Sequence, residues 1–276
     1  MISIITCSTN PDFFYLLEKS IKDTCTFDFE IIKIDNTVEK LSLTQAYNNG
    51  AKKSQFNNLV FVHEDVEFMN SCWNESLLTL LENKEIGLIG VAGSTYLPTT
   101  PSGWYLPDQK FNKVFIHQGF KYKEAPIRFD NQGDDLTPVY LLDGVFLAMR
   151  KAVWIEFPFN ESLKGFHAYD VDICQRVSTK YQNIFTKQIK LLHKSEGKVD
   201  QTYFDAILQY KNAYLNYLYP KRDFKIELEL LKQFYSYLRC YYDKDMCVSK
   251  IQNYCSFQIL GIIGYFKFKT FLHNAK

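Results

Sequence analysis

The sequence lacks the features that mark a secreted or membrane-spanning chain. Its seven cysteines are an odd number, they are scattered, and no CxxC motif occurs, so neither a disulfide framework nor a structural zinc site is predicted. No apolar run approaches the roughly 20 residues that cross a bilayer. The chain opens without the basic, apolar pattern of a signal peptide. These absences predict a cytoplasmic protein, with the inner face of the membrane as the alternative location.

The sequence also lacks an excess of charge of one sign. It has 32 Lys and Arg against 31 Asp and Glu, a formal net charge of +1 over 276 residues. A nucleic-acid-binding domain usually carries a clear positive excess, so no nucleic-acid partner is expected. Hydrophobic residues make up 46% and charged residues 23%, which predicts a folded chain with a substantial core.

The first part of the chain alternates strand patterns with helix patterns. Residues 2–6, 30–34 and 58–62 are short apolar runs of the kind that form buried parallel strands. Asn10 before Pro11 and, further on, Ser42 are typical of helix N-caps. This alternation predicts an α/β fold with a mostly parallel sheet flanked by helices.

The pattern loosens later in the chain. We expect a strand at 87–93, a long loop over 94–137 with a short strand at 114–119 inside it, and a continuous strand over 139–150. Helices are predicted over 170–180 and 200–218. Loops as long as 94–137 are usually functional, and the rings of Trp104 and Tyr105, with Tyr96, are candidates to contact a ligand there. Ordinary packing beneath the loop is the alternative for these rings.

Composition changes after Pro220. Residues 221–276 carry a net charge of +5, whereas the rest of the chain carries −4. We therefore divide the chain into a domain at 1–220 and a basic, aromatic helical segment at 221–276. One interpretation is that this appendage packs on the domain or forms a dimer. The other is a membrane-surface helix, which suits Phe266, Lys267 and Lys269.

Polar residues follow several of the predicted strands. Ligands of open α/β sheets bind at the carboxyl ends of the strands, and the polar residues there are Thr6, Ser8, Asp35, Asn36 and the run His63-Glu64-Asp65. If the strands lie side by side, these residues form one site. The alternative is that they are simply the residues that turns favour.

His63 and Asp65 are candidates to bind a metal ion. In an extended segment, residues two apart face the same side, so the pair can converge on one cation while Glu64 faces away. Mg²⁺ or Mn²⁺ suits such a partial ligand set, with phosphate and water completing the shell. The alternative is a capped turn with a solvated acid cluster.

Two further polar groups come later in the chain. Asp170 and Asp172 lie where a helix is expected to begin, and Asp172 is placed to pair with Arg176 four residues on. Asp170 is then left to face a cleft. The alternative is that both acids only cap the helix. His193 ends an apolar strand and could bind a metal or a phosphate; a hydrogen-bonded surface histidine is the alternative.

These segments occur in a familiar order. The chain resembles the family-2-like glycosyltransferases of the GT-A fold, most closely the branch typified by the streptomycin-biosynthesis StrF-like proteins, over about the first two-thirds of its length. The matching segments are IITCST (4–9), IDNT (34–37), AYNNG (46–50), VFVHEDV (60–66), LDGVFLAMR (142–150) and GFHAYDVD (165–172).

The resemblance implies a role for each matching residue. Asp35 corresponds to the acid that binds the nucleotide base or ribose, and Asp65 to the last acid of the DxD motif, which holds the metal on the diphosphate. Asp143 corresponds to the acid lining the acceptor and sugar side. Asp170 corresponds to the general base of inverting members, and His193 to the late histidine that joins the metal or diphosphate.

Two positions depart from the family pattern. His63 stands where DxD has its first acid, which weakens the case for a metal. Tyr169 stands where an acid commonly precedes the base, which keeps His167 as a rival to Asp170.

The resemblance implies inverting, metal-assisted transfer of a sugar from a nucleoside diphosphate sugar to a hydroxyl, in glycan or polysaccharide biosynthesis. The acceptor could be a glycan, a lipid-linked molecule or a small molecule, and the loop 94–137 would then form the acceptor side, with Trp104, Tyr105 and Tyr96 stacking on a sugar face. A catalytically silent module that binds a nucleotide sugar or glycan is the alternative. A nucleotidyltransferase ranks last, because residues 7–10 are neither glycine-rich nor basic.

Overall fold

The computed structural model describes residues 1–120, 125–130, 134–194, 197, 199–215, 217, 219 and 222–275. Within these residues the strands, in chain order, are β1 (Ile2–Ser8), β2 (Phe29–Asp35), β3 (Asn58–Val62), β4 (Val66–Phe68), β5 (Ile86–Gly90), β6 (Ala92–Ser94), β7 (Asn112–Gln118), β8 (Ile127–Asp130), β9 (Leu136–Val139), β10 (Leu141–Leu142), β11 (Phe146–Arg150), β12 (Gln182–Thr186) and β13 (Leu191–His193). The helices are α1 (Pro11–Thr24), α2 (Leu43–Lys53), α3 (Trp73–Glu82), α4 (Lys151–Glu156), α5 (Tyr169–Val177), α6 (Gln201–Ala213), α7 (Phe224–Leu238), α8 (Lys244–Ile251) and α9 (Phe257–Asn274).

The larger sheet has the strand order β2-β1-β3-β11-β5-β12-β9. Strand β1 is parallel to both β2 and β3, and β12 is parallel to β5. Strand β11 runs antiparallel between β3 and β5, and β9 is antiparallel to β12 at the edge. The predicted mixed α/β architecture is therefore confirmed.

A smaller sheet lies beside the larger one, with the order β10-β6-β7-β13-β4 and with β8 paired to β7. Strand β13 is antiparallel to β4 and parallel to β7. In this register His193 is the partner of Val66, the residue after Asp65. The smaller sheet thus brings the end of β13 to the turn that follows β3.

The predicted helix starts at Asn10 and Ser42 are confirmed. The side chain of Asn10 accepts hydrogen bonds from the backbone N–H groups of Asp12 and Phe13, and Pro11 takes the first helical position. Ser42 forms a capping box with Gln45. Both caps satisfy N–H groups that have no partner inside the helix, which explains why these short polar residues define the helix starts.

Two predicted strands are divided in the structure. The continuous strand expected over 139–150 is wrong, because a turn at Asp143 and Gly144 separates β10 in the smaller sheet from β11 in the larger one. The carboxylate of Asp143 accepts a hydrogen bond from the Val145 backbone N–H at 2.7 Å, which stabilises the turn. Similarly, the strand expected over 87–93 becomes β5 and β6. The chain thus passes between the sheets at both places.

Two predicted helices end early. The helix expected over 170–180 ends at Val177, and the one expected over 200–218 ends at Ala213. Residue 218 and the predicted domain boundary at 220/221 lie outside the described residues. The division into 1–220 and 221–276 stays a prediction.

The C-terminal helices pack on the α/β part of the chain. One continuous cluster of buried side chains includes Phe61 of β3, Phe204 of α6, Leu231 of α7 and Phe268 of α9. Among the described residues, no helix combines the length and the apolar character that crossing a membrane requires.

A buried carboxylate joins α7 to the segment that follows β6. Glu227 is completely buried, and its oxygens accept hydrogen bonds from the Tyr96 hydroxyl and from the backbone N–H groups of Thr99 and Thr100, all at 2.7–2.9 Å. Nearby, the Lys211 ammonium donates to the Pro98 carbonyl. Burial lowers the pKa of Lys211 to about 7, although the charge of Glu227 acts in the opposite direction. Loss of this carboxylate would leave several buried donors without an acceptor.

We expect Glu227→Ala to lower the free energy of unfolding by about 3 kcal/mol, because removing one member of a buried charged network leaves its partners unsatisfied. Glu229 is exposed on the same helix, so Glu229→Ala should change stability by less than about 0.5 kcal/mol. Urea unfolding followed by circular dichroism measures both. Equal stability of the two variants would contradict this role for Glu227.

Candidate active site

A cavity of about 630 Å³ opens where the chain leaves β3 and enters α5. Its size is within the range of small-molecule binding sites. Seven of the predicted site residues line it together: His63, Asp65, Trp104, Tyr105, Asp143, Asp170 and His193. His167, the rival base, lines it as well.

Three side chains converge as a possible metal site. One ligand atom each of His63, Asp65 and His193 lies within 4.8 Å of the others. Nε2 of His193 is 3.4 Å from Oδ2 of Asp65, and the two histidine rings are 5.8 Å apart between centroids. The predicted metal residues are thus brought together from three positions in the sequence.

The turn after β3 explains how His63 and Asp65 converge. The structure has a turn here rather than the extended backbone assumed from the sequence. The sequence predicts that Glu64 faces away, but it lines the cavity as well, and its carboxylate accepts hydrogen bonds from the backbone N–H groups of Thr9 and Asn10. Glu64 therefore fixes the β1–α1 connection and stands outside the cluster of His63, Asp65 and His193.

The other nitrogen of His193 is held by Gln118. Nδ1 of His193 is 3.0 Å from Oε1 of Gln118, whose amide nitrogen donates to the Gly119 carbonyl. Because that oxygen of Gln118 accepts, Nδ1 carries a proton, and Nε2 is the nitrogen that faces Asp65 and the cavity. This is how metal-binding histidines are commonly oriented in proteins. Sequence reasoning missed Gln118, because no local pattern shows that β7 lies beside β13.

His63 and Tyr169, the two residues that depart from the pattern of the resembled family, contact each other. Nε2 of His63 lies 2.8 Å from the hydroxyl oxygen of Tyr169, although 106 residues separate them. Tyr169 is almost fully buried, and a side chain at position 144 would overlap its hydroxyl, so Gly144 is required for the approach. His63 and Tyr169 therefore form one structural unit that sets the orientation of the His63 ring.

The histidines have opposite pKa shifts. Burial and the neighbouring His193 lower the pKa of His63, which favours the neutral imidazole. Burial also acts to lower the pKa of His193, but the hydrogen bond and the charge of Asp65 outweigh it and raise that pKa. A neutral imidazole is the form that binds a metal ion.

Asp170 lies beside the cluster at the start of α5. Its carboxylate accepts hydrogen bonds from the backbone N–H groups of Gly144 and Val171, at 3.2 and 2.9 Å. Burial and the neighbouring Asp143 carboxylate raise the pKa of Asp170 to about 7, against the effect of these backbone donors. A carboxylate with that pKa is suited to accept a proton near neutral pH.

Asp172, in contrast, has a structural environment. Its Oδ2 accepts from Nε of Arg176 at 2.8 Å, as predicted, and its Oδ1 accepts from the hydroxyl of Tyr214. The sequence-based distinction between the two acids of this helix is thus confirmed for Asp172. Its partners hold α5 in place and leave Asp170 at the cavity.

One wall of the cavity is aromatic. Trp104 and Tyr105 meet edge to face with centroids 5.4 Å apart, and His167 meets Tyr203 in the same way at 5.5 Å. Tyr96 is not part of this wall, because its hydroxyl bonds to the buried Glu227. Sequence reasoning missed Tyr203, since α6 reaches the cavity only through tertiary packing.

Four predicted donor-site residues do not line the cavity. Thr6 and Ser8 have their side chains buried within the fold. Asn36 uses its amide to hold the backbone of Leu41. Asp35 is exposed at the end of β2, where hydrogen bonds from Thr37 lower the pKa of its carboxyl group. Of these four, only Asp35 presents a polar group to solvent near the end of β1, and its nucleotide role stays a prediction.

The residues of the cluster fit a divalent cation. Two imidazoles and one carboxylate form a ligand set that suits a first-row transition ion such as Mn²⁺. Four carboxyl groups, those of Glu64, Asp65, Asp143 and Asp170, line one cavity, so a cation would also relieve their mutual repulsion.

Comparisons with known proteins agree on the architecture. A comparison of the sequence with curated proteins gives no significant match. Among solved structures, residues 1–349 of S. aureus TarS in complex with UDP match with a TM-score of 0.58 and 12% identity, covering 99% of this chain and 88% of that one. The mannosyltransferase PcManGT from Pyrobaculum calidifontis, in complex with GDP-Man and Mn²⁺, matches with a TM-score of 0.51 and 10% identity over 99% and 79%.

GalNAc-T7 in complex with UDP, GalNAc and Mn²⁺ matches with a TM-score of 0.55 and 8% identity, over 98% of this chain but only 56% of that one. At these identities the structures show a shared fold, the GT-A fold. A family model described as "Glycosyltransferase like family" matches residues 3–216, most of the chain. The protein therefore belongs to this glycosyltransferase-like family.

Proposed function

We propose that the protein transfers a sugar from a nucleoside diphosphate sugar to an acceptor hydroxyl, with inversion at the anomeric carbon. The observation that carries this proposal is the convergence of His63, Asp65 and His193 with the acids Asp143 and Asp170 in one cavity. Cation ligands at one side and a carboxylate with a raised pKa at the other are what this transfer needs. The similar structures with bound UDP or GDP-Man support the donor class.

The bound cation would stabilise the negative charge of the departing diphosphate. His63, Asp65 and His193 would hold it, and Gln118 and Tyr169 would orient the two rings. Mg²⁺ prefers oxygen ligands, whereas imidazole nitrogens suit transition metals. We therefore propose Mn²⁺ rather than Mg²⁺ as the preferred ion.

Asp170 would act as the base. Its carboxylate would take the proton of the acceptor hydroxyl as that oxygen bonds to the anomeric carbon and the bond from this carbon to the diphosphate oxygen breaks. Its pKa of about 7 lets the deprotonated form accumulate just above neutral pH. His167 is the rival, since it lines the same cavity.

The aromatic wall would bind the sugar side of the substrates. Trp104 and Tyr105 offer ring faces and edges to a cavity that also contains the Asp143 carboxylate. Aromatic faces pack on sugar rings, while carboxylates accept from sugar hydroxyls. Glycans, lipid-linked molecules and small molecules are the proposed acceptor classes, and polysaccharide or glycoconjugate synthesis is the proposed setting.

We expect nucleoside diphosphates to bind with Mn²⁺ more tightly than with Mg²⁺ and not with a chelator present. Asp65→Ala removes the carboxylate of the cluster and should abolish the metal-dependent binding. Glu67→Ala is a matched control, because Glu67 lies two residues away and pairs with Lys194. Calorimetric titration of a panel of nucleoside diphosphates and their sugars measures the binding. If no member binds, the transferase proposal loses its basis; binding without turnover would favour a silent binding module.

Tyr169→Phe should weaken Mn²⁺ binding by about tenfold, because loss of a group that orients a metal-binding histidine typically costs that much. The substitution keeps the buried ring and removes only the hydroxyl that bonds to His63. Tyr237→Phe, which removes an exposed hydroxyl on α7, should leave binding unchanged. Electron paramagnetic resonance of free Mn²⁺ gives the affinity. Unchanged or tighter binding to the Tyr169 variant would rule out this role.

Asp170→Asn should reduce turnover by about 10²–10⁴-fold and preserve donor binding, because only the proton acceptor is lost. Wild-type turnover should rise with pH through about 7, the pKa of Asp170, since the deprotonated form is the active one. Asp143→Asn should shift that midpoint to lower pH, because the Asp143 charge helps to raise the pKa.

Two comparison variants make this test decisive. Asp172→Asn disrupts the pairing with Arg176, so it should lower stability and leave the pH midpoint in place. Full turnover in Asp170→Asn together with loss of turnover in His167→Gln would assign the base to His167 instead. Single-turnover rates with saturating donor, measured over a range of pH, compare the wild type with the four variants.

A further inference from the structure

The outer face of α9 exposes large apolar side chains. The exposed fractions are 52% for Phe257, 68% for Ile262, 72% for Ile263 and 59% for Phe266. Ile262, Ile263 and Phe266 line a shallow surface groove together with Lys232 and Lys267. We call these six residues the basic-apolar patch.

The opposite face of α9 is already used by the protein. Leu260, Phe268 and Leu272 are buried in the cluster that includes α7. A helix that packs on a domain normally has a polar outer face, and one that is apolar all round is normally covered on both sides. The outer face of α9 therefore has the composition of a surface that is covered in use.

The charged residues that line the groove, Lys232 and Lys267, are both basic. After Asp245 the sequence has no Asp or Glu, and it carries Lys250, Lys267, Lys269 and Lys276. Lys232 of α7 adds a further positive charge at the groove, where its Nζ lies 5.4 Å from the centroid of the Phe271 ring. The remainder of the chain before 221 has a net charge of −4, so the positive excess lies in the segment 221–276 that contains α9.

We propose that the basic-apolar patch docks this protein onto an anionic lipid surface. Apolar side chains would enter the boundary between headgroups and acyl chains, while lysine ammonium groups would contact lipid phosphates. The helix α9 would lie along the membrane surface and would not enter the bilayer core, since its inner face is already buried in the protein. The proposal concerns attachment alone and does not depend on the proposed transfer reaction.

A second copy of the chain fits the patch less well. In a two-fold symmetric dimer the same patch faces itself, which would bring the lysines of one copy against those of the other. Like charges placed together oppose association. An anionic surface has the complementary charge, so it is the occupant that the patch favours.

Sedimentation with lipid vesicles tests the proposal on the full chain. We expect binding to vesicles of equal parts phosphatidylglycerol and phosphatidylcholine, weak binding to phosphatidylcholine alone, and weakening as salt is added. Ile263→Ser should reduce the affinity by about tenfold, the effect of one apolar side chain. Lys267→Glu should reduce it by at least about fivefold, the effect of one basic side chain near an anionic surface.

Matched variants elsewhere on the surface control for hydrophobicity and charge. Ile155 is 67% exposed on α4, and Lys53 is exposed at the end of α2, so Ile155→Ser and Lys53→Glu should bind vesicles as the wild type does. Unfolding midpoints verify that all four variants fold.

Three results would overturn the proposal. One is no binding to anionic vesicles at low salt. Another is equal loss of binding in the patch variants and in their controls. The third is a concentration-dependent dimer, seen by sedimentation velocity, that Ile263→Ser dissociates while vesicle binding is unaffected; the patch would then be an interface between two copies of the chain.

Discussion

The antiparallel pairing of β13 with β4 is the constraint on which the candidate site depends. It places His193 next to the turn that carries Asp65. This turn begins at the end of β3 in the larger sheet. Backbone hydrogen bonds fix this register more firmly than side-chain contacts alone could, because one-residue slippage would move His193 to the opposite face. The same register lets Gln118 of β7 reach the second nitrogen of His193. Metal ligands and their orientation thus follow from strand pairing.

The site combines charged groups that burial by itself would not favour. Asp143 and Asp170 lie in one partly enclosed cavity, and burial together with the neighbouring Asp143 carboxylate raises the pKa of Asp170 to about 7. Backbone N–H groups at the start of α5 and in the turn at Gly144 donate to the Asp170 carboxylate and offset part of the free-energy cost of burying its charge. Next to them, His63 and Tyr169 form a hydrogen-bonded pair, and burial lowers the pKa of His63 toward the neutral form. This pair adds no negative charge to the cavity, and His63 remains a candidate ligand for a cation.

The C-terminal helices affect the site at a distance. Glu227 of α7 holds the backbone of Thr99 and Thr100, a few residues before Trp104 and Tyr105 of the aromatic wall. A fully buried carboxylate with several donors is a rigid anchor, because loss of any partner leaves a charge unsatisfied. The segment after 221 therefore does more than cover the domain: it fixes the base of the loop that forms one side of the cavity. Its outer face, with exposed Ile262 and Ile263, is left available for contact with a lipid surface.

Local patterns in the sequence determined the helix starts at Asn10 and Ser42, the strands β1, β2 and β3, the pairing of Asp172 with Arg176 and the family resemblance. Each depends on residues close together in the chain, where periodicity, capping and spacing act directly. Only the tertiary structure decided that 139–150 divides between two sheets, that Tyr169 contacts His63, and that Thr6, Ser8 and Asn36 lie off the cavity. Those outcomes depend on which distant segments pack together; 106 residues separate Tyr169 from His63, and 75 separate Gln118 from His193. No local pattern encodes such contacts, because they arise only when strand pairing and burial bring the segments together.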